Sequence, residues 1–320
     1  MEKTSIITVG LSPAWDITCR GRNLEWGGHQ SIEEQAIDPA GKALNVSRAL
    51  AWMGQENIAA GLWGRSDYRQ MLAAVRNSWP LIKVEMTAAA GSTRRNVTVV
   101  DAANGREMHL RSKSPLASVK TLRRVQGDLK KIVRRNSICV FAGTMPEGDL
   151  MADVIQIMES CARRGARIVL DTSGRALRKI VDTGAAWLIK PNVEELCELS
   201  NQKIKDAPAT LASAGRKLLD RVDMVLISRG KKGNLVVSRQ GVWQGRCTGR
   251  GRVLSTVGCG DYLLAGFLKG LADKSDPPRP DPGAALKLAM KVATAKAWGW
   301  TENKEASRAL REIKVVVGQV

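Results

Sequence analysis

Short β-branched runs and longer helical periods take turns along this chain. Residues 5–9 (SIITV) form an apolar run of strand length, closed by Gly10 and the Ser12-Pro13 break, and read as a buried strand. Leu44, Val46, Ala49, Leu50 and Met53 recur at helical spacing until Gly54. Residues 58–62, 66–77 and 81–86 follow as strand, helix and strand. From Val119 the alternation is regular: a helix to 135, a strand over 137–142, a helix after Pro146, a strand over 167–170, and further strands at 187–189 and 224–228. This order predicts an α/β fold in three layers, α/β/α, about a mainly parallel sheet, with ligands at the carboxyl ends of the strands.

Two stretches break the alternation. Between 19 and 38 helical periodicity fades and small or polar residues dominate, Gly27-Gly28 among them. Residues 97–100 and 107–110 alternate as two strands across an Ala103-Asn104-Gly105 turn. Both stretches read as β structure standing apart from the core. Further on, 234–238 and 242–244 pattern as a hairpin, 276–282 (DPPRPDP) as a surface loop, and 284–298 and 304–313 as two amphipathic helices closing the chain.

Composition narrows the class. With 320 residues and 44% apolar content, the chain can bury a large core as one domain, or one large and one small. The net charge of +19 is unusual, but its pairs, such as Arg123-Arg124, Lys130-Lys131 and Arg163-Arg164, fall in helical segments on water-facing positions. No nucleic-acid-binding motif accompanies them, so the expectation is no nucleic-acid partner and a positive field that draws in anionic substrates. Six scattered cysteines without a CxxC pair suit a reducing compartment. With no signal-like start and no run of about 18 apolar residues, the expectation is a cytoplasmic protein without a membrane partner.

Candidate chemistry gathers at 255–266, STVGCGDYLLAG. Gly258 and Gly260 allow close approach to main-chain N–H groups, and the apolar period from Tyr262 makes those groups the unpaired donors of a helix start, which attracts phosphate. Asp261 in such a place is either a general base, taking a proton from a hydroxyl while the amides hold a migrating phosphoryl group, or a first-turn carboxylate favoured by the helix dipole. Cys259 at the helix start is either a thiol of lowered pKa, open to alkylation, or a buried small hydrophobe. Asp16, after the first strand, is placed to accept from hydroxyls at a strand's carboxyl end. Lys42 and Asn45, at another helix start, suit an anionic, hydroxylated ligand. Asn192 and Glu195 are three apart: a sparse magnesium site, or an N-cap with its first-turn acid.

The stretch around Asp261, together with PAGKALN at 39–45, resembles the two signatures of the ribokinase-like, PfkB-type carbohydrate kinases, and the likeness runs along nearly the whole chain. LSPAWD resembles the family's N-P-A-x-D motif, and Thr93-Arg94-Arg95-Asn96 resembles the T-R-x-N segment of its phosphosugar branch. The resemblance implies one kinase domain over 1–320 with a discontinuous β lid at about 17–38 and 92–111. It implies catalysis by Asp261 with Gly258, Cys259 and Gly260, and sugar-phosphate binding by Asp16, Gly41, Lys42, Asn45, Arg94 and Asn96. It further implies nucleotide contacts at Lys190, Ser228, Gly230 and Gly233, magnesium through water at Asn192 and Glu195, ATP and Mg2+ as cofactors, and a homodimer through the lid. The implied reaction is phosphorylation of a phosphorylated ketohexose, fructose 1-phosphate first, with tagatose 6-phosphate and fructose 6-phosphate as alternatives. A phosphosugar or nucleotide binder without catalysis is the alternative of another class.

Overall fold

The computed structural model describes residues 4–272 and 281–320. β1 (Ile6–Gly10) is central, and its Ile6, Ile7 and Val9 are wholly buried because helices cover both faces. The chain then leaves the body for β2 (Ala14–Gly21) and β3 (Glu34–Ala40), and returns through α1 (Lys42–Trp52), β4 (Asn57–Gly64), α2 (Tyr68–Ser78) and β5 (Ile82–Ala89). It leaves again for β6 (Arg94–Asp101) and β7 (Arg106–Arg111). The body continues with α3 (Val119–Ile132), β8 (Ile138–Ala142), α4 (Met151–Arg163), β9 (Arg167–Asp171), α5 (Gly174–Asp182), β10 (Leu188–Ile189), α6 (Val193–Ser200), α7 (Pro208–Lys217) and β11 (Met224–Ser228). β12 (Asn234–Ser238), β13 (Gly241–Cys247), α8 (Cys259–Ala272), α9 (Pro282–Ala297), α10 (Trp300–Asn303), α11 (Ala306–Glu312) and β14 (Val315–Gln319) complete it.

The body strands form one sheet in the order β14-β13-β12-β11-β10-β9-β8-β1-β4-β5. From β5 to β11 every pairing is parallel, and the β12–β14 extension is antiparallel. Leu122, Val125 and Leu129 lie three and four apart on α3, so one stripe of the helix faces the sheet, and α4 to α7 complete that layer. Ser118 and Thr121 start α3 with a reciprocal capping box. On the other face, Leu263, Leu264 and Phe267 of α8 pack with Leu286 and Ala289 of α9 and with α1. Each such side chain contributes roughly 1.5–3 kcal/mol by burial. Three layers about a mainly parallel sheet are thus observed.

The second, smaller sheet, β3-β2-β6-β7, is formed by the two stretches expected to make the lid, and is called the lid below. β2 and β6 run parallel at its centre and the outer pairings are antiparallel. Its first strand pair spans Ala14 to Ala40, wider than the 17–38 expected from sequence, because pairing extends to the points where the chain leaves the body, and its second pair spans Arg94 to Arg111. Asp16 is corrected with it: the residue belongs to the third position of lid strand β2, not to the carboxyl end of a parallel body strand. The chain also closes differently. α11 is shorter than 304–313, and β14 follows it, paired antiparallel to β13. Of the proline-rich loop at 276–282, residues 276–280 lie outside the described residues, Asp281 caps α9 and Pro282 is its first residue. Among the described residues no helix is long and apolar enough to cross a membrane.

Candidate active site

Gly258, at φ +76°, turns the chain into α8 in a region costly for any residue with a Cβ. Of the expected anion donors, the Val257 N–H is taken by Ser255 Oγ at 3.1 Å and the Cys259 N–H by the Thr256 carbonyl at 3.3 Å. The Cys259 amide is therefore removed from the predicted set, while the Gly258 and Gly260 amides have no acceptor among the described residues. The Cys259 thiol also departs from expectation: burial, against the opposing pull of Lys296, pushes its pKa up to about 11. A slow thiol results. Alkylation of Cys259 by iodoacetamide is expected to be slow near neutrality and to accelerate as pH approaches 11; peptide mass spectrometry reading rapid labelling at neutral pH would contradict this.

Asp261 lies within the first turn of α8, only 5% exposed. Asn45 Nδ2 donates to its Oδ2 at 2.7 Å, which leaves the other oxygen for a ligand hydroxyl. Burial raises the Asp261 pKa and Asp171 raises it further, while the Asn45 bond, Lys42 and Lys190 pull it down; the result is about 7. A carboxylate poised there can exchange a proton at neutral pH. Gly41, at φ +122°, starts the helix that carries Lys42 and Asn45.

Close to Asp261 lies a residue that none of the sequence patterns above singles out. Asp171, at the end of β9 and 1% exposed, receives Lys42 Nζ at 3.2 Å and Lys190 Nζ at 3.3 Å, both on Oδ1. Its Oδ2 is buried without a partner among the described residues. Burial pulls the Lys42 pKa down, but Asp171, Asp261 and the Asp171 hydrogen bond outweigh it and the net shift is upward, so the ammonium stays charged. Lys190 Nζ also lies 3.4 Å from where a Cβ on Gly260 would stand, so it borders the anion turn.

The lid supplies the opposite wall. Asn96 Nδ2 donates to Asp16 Oδ1 at 2.8 Å across the β2–β6 register. Arg94 faces the cleft and Arg95 does not, as strand alternation requires. The Arg94 guanidinium donates to the carbonyls of Ser12, Pro13 and Ser112, which sequence alone did not suggest. Together these residues enclose about 690 Å³ between lid and body, with Asp261, Lys42, Asn45 and Lys190 on one side and Asp16, Arg94 and Asn96 on the other. A hollow of about 770 Å³ at the opposite strand ends, lined by Thr4, Asn57 and Ile82, contains none of them.

The remaining predicted positions lie outside the cleft wall. Asn192 and Glu195 form a reciprocal capping box at the start of α6, with bonds of 2.8 and 2.9 Å. Ser228 bridges to Asn192 at the end of β11. Gly230 and Gly233 flank a short turn whose Arg229 and Lys232 are both held by Asp206, at 2.7 and 2.6 Å.

A carboxyl titrating at about 7, beside main-chain donors without an acceptor among the described residues, can take a proton from an alcohol while a phosphoryl group is received. The class of protein is a phosphotransferase acting on a sugar hydroxyl. A sequence profile described as pfkB family carbohydrate kinase matches residues 4–303, and the chain belongs to that family. It is 29% identical over 284 residues to a 1-phosphofructokinase of Borreliella burgdorferi, covering 86% of each chain. It is 24% identical over 271 residues to a tagatose-6-phosphate kinase of Staphylococcus epidermidis, covering 83% of this chain and 85% of that one. In fold it is similar to phosphofructokinase-2 from Escherichia coli in complex with fructose-6-phosphate, with a TM-score of 0.85, 20% identity and 98% of each chain covered.

Proposed function

We propose that the protein transfers the γ-phosphoryl group of ATP to a hydroxyl of a phosphorylated ketohexose, fructose 1-phosphate first, giving fructose 1,6-bisphosphate. Tagatose 6-phosphate and fructose 6-phosphate are the alternative acceptors. The observation that carries the reading is Asp261, bonded by Asn45 and facing, across one cleft, the lid residues suited to a sugar. Asp261 accepts the hydroxyl proton as the oxygen bonds to the γ-phosphorus and the bond to the bridging oxygen breaks, releasing ADP. The Gly258 and Gly260 amides receive charge on the migrating group. Lys42 and Lys190, steadied on Asp171, balance the phosphates. Asp16 and Asn96 orient the sugar. Arg94 has five N–H donors, and three serve backbone carbonyls, leaving two for the phosphate already on the sugar. Ser228, Gly230 and Gly233 belong to the nucleotide side.

Magnesium fits sparsely. The capping box occupies Asn192 Oδ1 and Glu195 Oε2, but Glu195 Oε1 is left over, and the Glu195 charge reaches Lys42. Among the described residues no three acidic, His or Cys side chains converge, which suits an ion held through water. When bound, Mg2+ supplies positive charge to the phosphate oxygens.

By strand alternation the lid face opposite Asp16 carries one apolar row, Ile37-Ile17-Val97-Leu110, in register across all its strands. Ile37 and Leu110 are about half exposed, which supports a second copy of the chain as the partner covering this face. Six free cysteines support a cytoplasmic location.

ADP release measured across the three sugar phosphates tests the acceptor. Turnover is expected with fructose 1-phosphate above the others, and no turnover with any of them would sink the kinase reading. The rate is further expected to rise with pH through about 7 as Asp261 loses its proton. Asn45→Ala removes a bond that lowers the Asp261 pKa, so its acid limb moves to higher pH, since Asp171 still opposes ionisation and only Lys42 and Lys190 favour it. A pH profile of kcat/KM identical to wild type would contradict this coupling.

A further inference from the structure

Asp67 stands at the N-cap of α2, where a carboxylate ordinarily accepts from the first N–H groups of its own helix. Here it makes no such bond. Its side chain turns toward the lid instead. Oδ2 accepts from Trp15 Nε1 at 2.7 Å and from the Thr93 N–H at 3.2 Å, and Oδ1 accepts from the same N–H and from Thr93 Oγ1, both at 3.1 Å. Trp15 and Thr93 are 4% and 2% exposed, so the donors are buried, while the Asp67 carboxylate is partly buried. The Gly64 N–H reaches Thr93 Oγ1 at 3.0 Å, and the Arg65 and Ser66 N–H groups reach the Ala89 and Gly91 carbonyls, so the whole β4–α2 turn grips this crossing.

Trp15 immediately precedes Asp16, and Thr93 immediately precedes Arg94. Both partners of Asp67 therefore lie at the starts of the two lid excursions, Trp15 second in β2 and Thr93 just before β6, and each is followed by a residue that lines the cleft. A helix cap has been given up for contacts that fix only the lid. We infer that Asp67 is a positioning residue that sets the lid on the body, and through Trp15 and Thr93 places Asp16 and Arg94 for the sugar phosphate.

This inference rests on the sugar-phosphate reading of Asp16 and Arg94. An isosteric test exists, because Asn in place of Asp67 keeps the shape but turns an NH2 group toward a donor. Asp67→Asn is expected to raise KM for the sugar phosphate roughly tenfold or more, as small misplacements of substrate-orienting groups do, with KM for ATP within about twofold of wild type. Trp15→Phe, which removes one bond and retains the ring packing, is expected to shift the same constant in the same direction by less. Amide hydrogen exchange without substrate gives a readout independent of turnover: peptides over β2 and β6 exchange faster in Asp67→Asn, and peptides over β8 do not. Faster exchange throughout, or equal rises in both KM values, would reduce Asp67 to a general stabiliser and overturn the inference. So would unchanged lid exchange. A wild type that turns over no sugar phosphate defeats the kinase reading alone, and the exchange comparison still decides whether Asp67 sets the lid. If Asp67→Asn does not fold, Trp15→Phe carries the same comparison.

Discussion

Asp261→Asn is expected to lower kcat by about 10²–10⁴-fold, the range associated with a positioned general base, while sugar phosphate and ATP still bind. The substitution retains an oxygen for Asn45 and removes only the capacity to hold a proton. Stability should move the other way. Because the folded carboxyl titrates near 7, against 3.8 for the ordinary group, the folded state holds a proton that the unfolded chain releases over that interval. Stability is therefore lost as pH rises through the window and remains lower above it. A neutral asparagine escapes the loss, so the variant should melt no lower than wild type at about pH 8. Turnover equal to wild type would remove the base assignment, and loss of both ligands together would mean a disturbed fold instead.

The other large effect is expected at Asp171. Truncation to alanine leaves Lys190, 6% exposed, as a buried ammonium without its counter-charge, and breaking a buried pair in this way costs about 3–5 kcal/mol. The Lys42 contact, with that side chain 43% exposed, contributes less because water screens it. Urea unfolding measures the loss directly. Asp171→Asn isolates the charge: it removes an influence that raises the Asp261 pKa, so the acid limb should move to lower pH even as turnover falls. An unfolding midpoint unchanged in Asp171→Ala would show that Lys190 finds another partner, and the proposed support of the two lysines would fail.

Legibility from sequence followed the range of the forces involved. Between Val119 and Ser228 the strands and the helices α3 and α4 were readable because the strands are short apolar runs buried on both faces and the helices show one buried stripe each, with boundaries moved by a few residues, whereas α5 and α7 were not singled out. The stretch between Cys19 and Asp38 was legible as β structure but not in its strand limits or register, because those are set by partners far along the chain, Cys19 pairing with Val99 and Gly21 with Asp101. β14 escaped for a related reason: VVVGQ closely follows a helix, has only one of its five residues buried, and becomes a strand only beside β13. Within the site, Asp261, Asn45 and Lys42 announced themselves through local glycine and helix-start patterns. Asp171 did not, although an acid ending the buried run RIVLD was a cue, because its meaning lies in Lys42 reaching it from 129 residues away. The Asn192–Glu195 pair shows the reverse, where a local pattern forms a local capping box.

The parallel β2–β6 seam has a bearing on engineering. Each lid excursion contributes one of the two strands that meet there, so neither hairpin brought alone into a related scaffold would carry its own complement. A chimera seeking to exchange acceptor preference has to transplant both insertions, along with the turn containing Asp67, as a single unit.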